Sequence, residues 1–146
     1  MSVVERRHRM RTLGEPSYRP HRLRECYPAV ADSIPHARSA IAGFATSVGA
    51  RGERVDAIKL AASEALTNVV QHAYPTRSGG IHVSAWLAGG ELWVLIADVG
   101  CGLHAGPESN GLGLGLGLIS RMADGFAVVE RSSGGTELRM RFELDL

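Results

Sequence analysis

The chain has 146 residues, 45% of them hydrophobic and 21% charged, the size and apolar share of one globular domain. Sixteen basic side chains against 15 acidic ones leave a formal net charge of +1, which argues against a protein held on nucleic acid by bulk electrostatics. Two cysteines, Cys26 and Cys101, are too few for a disulfide-stapled scaffold, and no apolar run approaches the ~20 residues of a membrane span.

Residues 1–25 carry seven arginines, two histidines and three acids, a local balance of +4, while the remainder sums to −3 from nine basic and twelve acidic residues. The segment is poor in aliphatic side chains and is interrupted by Pro16 and Pro20. It reads as a disordered or loosely docked arm; contact with an acidic partner or nucleic acid is the alternative. No apolar h-region follows the arginines, so it is not a secretory signal, and cytoplasm is the expected compartment. The folded domain is expected over 26–146.

Ser33-Ile34-Pro35 reads as a helix start, with Ser33 as N-cap and proline tolerated in the first turn. Ala37, Ala40, Ile41, Phe44, Ala45 and Val48 repeat at helical spacing until Gly49 stops the run. A second helix is predicted over about Arg54 to Ala73, its apolar face made by Val55, Ile58, Ala61, Ala62, Ala65, Leu66, Val69 and Val70, with Pro75 ending it.

From Gly79 the period changes to two. Ile81, Val83, Ala85 and Leu87 alternate with His82, Ser84 and Trp86, Gly89-Gly90 gives a two-residue hairpin signal, and Glu91 to Ala97 is the returning strand. A loop over Asp98 to Asn110 precedes a third helix at Leu114 to Ala123 and a strand at Phe126 to Arg131. Ser133-Gly134-Gly135 turns the chain into a last strand marked by Leu138, Met140, Phe142 and Leu144. The order helix, helix, hairpin, helix, hairpin predicts an α+β fold. It is a two-layer α/β sandwich with a mixed, largely antiparallel sheet covered by about three helices, not a doubly wound nucleotide fold.

Three places carry the chemistry. Glu64, Asn68 and His72 stand at i, i+4 and i+8, about 6 Å apart along a helix axis. A carboxylate and a carboxamide oxygen suit Mg²⁺, or the orientation of a water or hydroxyl; the solvent face of an amphipathic helix is the plainer reading. Asp98-Val99-Gly100-Cys101-Gly102 follows a hydrophobic strand. An acceptor carboxylate there adjoins backbone that a ligand can approach closely, although a glycine-rich turn with an Asx bond reads equally well. Cys101 reads as a small filler rather than a nucleophile, because no motif places a base beside it.

The third place is the run from Gly111 to Ile119, with glycine at 111, 113, 115 and 117. Four glycines inside a regular element sacrifice on the order of 3–4 kcal/mol relative to alanine. A phosphate cradle of backbone amides at a helix start would justify them; low complexity that happens to pack is the alternative. The dinucleotide fingerprint does not fit, because Leu116, Leu118 or Ser120 falls where its third glycine belongs. The single lysine, Lys59, follows Ile58 rather than glycine, which excludes a Walker A loop.

Taken in order, the E-x-x-x-N helix, the D-x-G-x-G after a strand, the G-x-G-L-x-L-I run and Gly135-Thr136 before a last strand resemble the four boxes of the GHKL ATPases. That superfamily includes gyrase, mismatch-repair ATPases and histidine kinases. The wording E-A-L-T-N-x-x-x-H-A-Y from Glu64 to Tyr74 is similar to one branch, the bacterial anti-sigma factors that are also serine kinases. The resemblance covers roughly Tyr27 to Leu146. It implies that Asp98 accepts a hydrogen bond from the adenine amino group, with Thr136 close by, and that Gly100 and Gly102 let the chain pass against base and ribose. It also implies that Asn68 coordinates Mg²⁺ and that Glu64 is general base or water-orienter at the γ-phosphate. Gly113 and Gly115, with amides around Leu116, would hold the phosphates of ATP. His72 is given a structural role.

The implied partners are ATP and ADP, an anti-anti-sigma antagonist protein, a sigma factor and a second copy of the chain, with no direct nucleic acid and no membrane. A phosphoacceptor histidine domain of the sensor-kinase kind is not expected within these 146 residues. The expected lid, Leu103 to Leu112, holds no Lys or Arg, only His104. Two functions follow as expectations: a serine kinase that controls a sigma factor through its antagonist, or a nucleotide-gated binding module with little catalysis.

Overall fold

A computed structural model describes residues 22–74, 79–99, 113–132 and 134–145. Five strands and three helices follow in the order β1 (Arg22–Pro28), α1 (Ser33–Ser47), α2 (Gly52–Asn68), β2 (Gly80–Ala88), β3 (Glu91–Ala97), α3 (Gly113–Met122), β4 (Gly125–Glu130) and β5 (Thr136–Glu143). A π-helical turn, Val69–Ala73, prolongs α2. The strands form one sheet in the order β1-β2-β3-β5-β4. All four pairings are antiparallel, so the sheet is not mixed among the described residues.

Alternation along the strands splits the sheet into two faces. Ile81, Val83 and Ala85 on β2, Leu92, Val94 and Ile96 on β3, and Leu138, Met140 and Phe142 on β5 are buried. The register sets them side by side, with Val83 opposite Ile96 and Ile96 opposite Leu138. Against this face lie Ala37, Ile41 and Ala45 of α1 and Ile58, Ala61, Ala62, Ala65 and Leu66 of α2, all fully buried. The alanines let α1 and α2 approach closely, and α2 packs between α1 and α3. The opposite face bears His82, Ser84, Trp86, Trp93, Leu95, Arg139 and Arg141, and no described helix covers it. Trp86 and Trp93, paired across β2 and β3, stack there with centroids 6.2 Å apart, and the Arg22 guanidinium lies 5.2 Å from the Trp86 ring centre.

Several element ends differ from the expectations. Asp32, not Ser33, precedes the first helical residue, and it makes no side-chain capping bond; Ser33 is inside α1 and buried. Gly49, at φ 118°, ends α1 as expected, with Ala50 N–H donating to Ala45 O at 2.9 Å. The second helix begins at Gly52 rather than Arg54, and its α-helical part stops at Asn68 rather than Ala73. The third helix and fourth strand are each shifted one residue towards the N-terminus, to Gly113–Met122 and Gly125–Glu130. Gly89 and Gly90 form the β2–β3 turn at φ 61° and 79°, the paired positive values of a two-residue hairpin.

Strand β1 was not expected. It begins at Arg22, so the arm boundary placed after residue 25 falls inside it. Only Leu23 and Tyr27 of this edge strand pack on the core, and five of its seven residues are exposed, which hides its alternation in a charged sequence. Burial, with the Glu25 charge beside it, pushes the Tyr27 phenol above its ordinary value. At the other edge, Asp124 Oδ2 accepts from Glu143 N–H at 2.7 Å and from Arg54 Nη1 at 3.2 Å, tying the start of α2 to the end of β5. Among the described residues no helix is long and apolar enough to cross a membrane.

Candidate nucleotide site

Four described residues are polar and buried: Ser33, Asn68, Asp98 and Thr136. Burying such groups without compensation is costly, and three of the four come from the motifs singled out in the sequence. Asn68, 5% exposed, is the last α-helical residue of α2. Asp98, fully buried, directly follows β3, and Thr136, 1% exposed, opens β5. Its burial removes Asn68 from any solvent face. Glu64, one turn earlier on α2, is half-buried, whereas His72 in the π-helical turn is exposed. The polar stripe therefore spans Glu64 and Asn68 and does not extend to His72.

Asp98 and Thr136 meet through their main chains. The β3–β5 register places Ala97 opposite Glu137, and one step further Asp98 N–H donates to Thr136 O at 2.9 Å. Gly135, at φ +88°, lies directly against this crossing: a Cβ there would fall 2.1 Å from Asp98 O and 2.5 Å from Val99 Cα. The glycine before Thr136 is thus required both by its conformation and by the close approach of two chains. Arg131, at the end of the β4–β5 hairpin, donates from Nη1 to Asp98 O at 3.1 Å, while its own N–H donates to Gly135 O at 3.0 Å. On the other side, the Tyr74 hydroxyl accepts from Val99 N–H at 3.0 Å and donates to Gly80 O at 2.8 Å.

The chain leaving β3 is therefore held from both sides at the residue whose carboxylate the motif marks. Sequence reasoning missed Arg131 and Tyr74 as parts of this arrangement. Nothing in the order of residues around Arg131 signals a tertiary bond to Asp98. Tyr74 was visible only as the last letter of a motif.

The amide nitrogen of Asn68, Nδ2, is buried without a hydrogen-bond partner among the described residues. A buried carboxamide in that condition suits a polar ligand that completes its bonding, and its oxygen is of the hard type that Mg²⁺ takes. Gly113 opens α3, with Gly115 in its first turn, and Leu116 packs against the core. Gly100, Gly102, Cys101, Gly111 and the stretch 103–112 with His104 lie outside the described residues, as do residues 1–21 and Pro75. Among the described residues, no group of three or more His, Cys, Asp or Glu forms a metal site. A shallow concavity of about 400 Å³ on the open sheet face is lined in part by Arg24, Cys26, His82, Arg131 and Glu137. It includes none of Asn68, Asp98 and Thr136.

Known proteins resemble this chain in sequence and fold. The anti-sigma F factor of Clostridium acetobutylicum is 26% identical over 124 residues, which cover 77% of this chain and 87% of that protein. The anti-sigma F factor of a Thermoanaerobacter species is 28% identical over 115 residues, 71% of this chain and 80% of the relative. The serine-protein kinase RsbW of Bacillus thuringiensis is 37% identical over a shorter stretch of 73 residues, half of this chain and 46% of the kinase. Among solved structures, the RsbU and RsbW domains of a Mycobacterium tuberculosis protein superpose with a TM-score of 0.67 at 23% identity. That match covers 86% of this chain but 32% of the longer one, and it shows the fold. The profile of the histidine kinase-like ATPase domain matches residues 27–142, from the end of β1 to the end of β5. With that match over most of the chain, and with Asp98 and Thr136 joined at one end of the sheet, the chain belongs to the histidine kinase-like ATPase domain family.

Proposed function

We propose that this chain is an ATP-dependent serine/threonine protein kinase and anti-sigma factor. It phosphorylates an anti-anti-sigma antagonist and so controls a sigma factor by partner switching in the cytoplasm. The observation that carries the reading is the buried Asn68 carboxamide, one helical turn from the half-buried Glu64 carboxylate. The names of its relatives, anti-sigma F factor and serine-protein kinase, supply the class of partner.

In this reading Asp98 accepts from the adenine amino group and Thr136 stands beside it. Gly100 and Gly102 pass along the base and ribose, and Gly113, Gly115 and the amides around Leu116 receive the phosphates at the start of α3. Asn68 would hold Mg²⁺, which when bound neutralises phosphate charge. Glu64 takes the proton from the acceptor serine hydroxyl as its oxygen forms a bond to the γ-phosphorus. The bond from that phosphorus to the β–γ bridging oxygen breaks, and ADP leaves. A second copy of the chain is a further partner in this reading.

A lid stretch without Lys or Arg favours the second reading, a nucleotide-gated binding module, because a cation usually meets the transferring phosphate. Single-turnover transfer from labelled ATP to the co-purified partner separates the two. A general base acts at the transition state and contributes little to ground-state binding. Glu64→Ala should keep ATP affinity within about tenfold while losing roughly 10²–10⁴-fold in transfer rate. An unchanged rate would remove Glu64 as the base, whereas no transfer by the wild-type chain would hand the reading to the binding module.

A further inference from the structure

The β2–β3 ladder runs without interruption from Ala88 opposite Glu91 to His82 opposite Ala97. Continued by two residues, the same register would set Gly80 opposite Val99. The ladder does not continue. Tyr74 places its hydroxyl against both segments, accepting from Val99 N–H at 3.0 Å and donating to Gly80 O at 2.8 Å. One side chain thus satisfies a donor and an acceptor that strand pairing would otherwise join directly.

The ring has a prepared seat. A Cβ on Gly79 would fall 2.0–2.4 Å from three atoms of the Tyr74 ring, so only glycine admits the ring there. Gly79 is itself held, since its carbonyl accepts from Ala29 N–H at 2.9 Å just past β1. On its own side Tyr74 directly follows the π-helical turn Val69–Ala73 that prolongs the helix of Asn68. A π-turn closes with i→i+5 bonds and so carries more residues than an α-turn, which changes the direction in which the following residue leaves. The tyrosine therefore ties the end of the Asn68 helix to the point where the chain leaves β3, immediately after Asp98.

We propose that Tyr74 is a positioning residue of the nucleotide site: its hydroxyl stands in for a ladder bond between β2 and β3 and sets the direction of the chain at Asp98–Val99. This rests on the adenine-binding role proposed for Asp98. Tyr74 touches no reacting atom. It acts through the Val99 amide on the adjacent carboxylate, so it governs base selection rather than fold stability alone.

The test uses the full chain and equilibrium binding of ATP and GTP. Tyr74→Phe keeps the ring on Gly79 and removes only the hydroxyl. It should weaken ATP by roughly 5- to 30-fold and leave GTP nearly unchanged, so that the ATP:GTP preference falls by a similar factor. Ile41→Val in the buried face of α1 is the stability control, and it should leave the preference at the wild-type value. A wild-type preference in Tyr74→Phe overturns the proposal, as does an equal loss in Ile41→Val. Hydrogen exchange supplies a measurement that needs no variant. The Val99 amide of the wild-type chain, although beyond the ladder, should be protected, and exchange at the rate of a free amide overturns the proposal. If the wild type itself does not prefer ATP, it is the nucleotide reading of Asp98 that falls, whatever Tyr74 does.

Discussion

At Asp98 the main chain carries the structure beside a fully buried carboxylate. Its N–H is used by Thr136 O, and its carbonyl accepts from Arg131 Nη1, so the backbone position is held independently of the carboxylate. Replacing that carboxylate by an amide keeps size and backbone but exchanges an acceptor for a group that is half donor. Asp98→Asn is therefore expected to fold, with a melting temperature close to wild type. Its ATP preference over GTP should fall by about ten- to a hundredfold, the scale of a lost charge-assisted bond to the base. Titration calorimetry with both nucleotides, beside a thermal melt, makes the check, and an unchanged preference would remove Asp98 from base recognition. Arg131 belongs to the same scale. Its guanidinium donates from Nη1 to the Asp98 carbonyl just past β3, so part of this cation is spent on holding the chain there.

At the scale of elements, the β4–β5 hairpin brings Gly135 across the exit of β3. Gly134 and Gly135 both sit at positive φ, 102° and 88°, but they differ in what surrounds them. A Cβ on Gly134 meets nothing within 4 Å, whereas one on Gly135 meets the backbone of Asp98 and Val99. Gly134→Ala should therefore cost only backbone strain, about 1–3 kcal/mol. Gly135→Ala adds a main-chain collision that cannot relax by a side-chain rotation. It should melt at a clearly lower temperature than Gly134→Ala and lose nucleotide binding in addition, and equal melts for the two variants would contradict the close approach. The β2–β3 hairpin offers a contrast, because its glycines, Gly89 and Gly90, lie in open space and serve only the turn. Strand pairing near the rim is reinforced by Arg141, whose hydrogen bond to Glu91 at 2.8 Å, with Glu91, Glu143 and Asp124 charges around it, holds its proton more firmly than usual.

At the scale of the whole molecule, one layer of helices on one sheet face makes a single core, and α2 occupies its middle. Leu66 of α2 is fully buried, while Leu60 on the same helix is 42% exposed. Removing the Leu66 side chain to the β-carbon should cost about 2–5 kcal/mol, a large share of the roughly 5–15 kcal/mol of a typical domain. Leu60→Ala should lie within about 0.5 kcal/mol of wild type, as a surface change does. Urea titrations of the two variants measure the difference, and similar midpoints would mean that α2 does not lie at the centre of the core. Because Asn68 ends this helix, a loss of packing at Leu66 is also expected to loosen the site.

Periodicity in the chain determined α1, the body of α2, both hairpins and the buried face of each, because helix and strand spacing are local properties of which side chains must face one core. Composition and motif order also determined the α+β class and picked out Asn68, Asp98 and Thr136, three of the four buried polar residues among those described. Tertiary structure alone decided the rest. β1 was missed because an edge strand with two core-facing residues in seven leaves little alternation to read. The π-helical turn after Asn68 was missed because a change from i→i+4 to i→i+5 bonding leaves the apolar spacing of Val69, Val70 and Ala73 almost untouched. Arg131 and Tyr74 were missed because each bonds to backbone, at Asp98 and at Val99 and Gly80, and a backbone partner contributes no residue type for a sequence motif to contain.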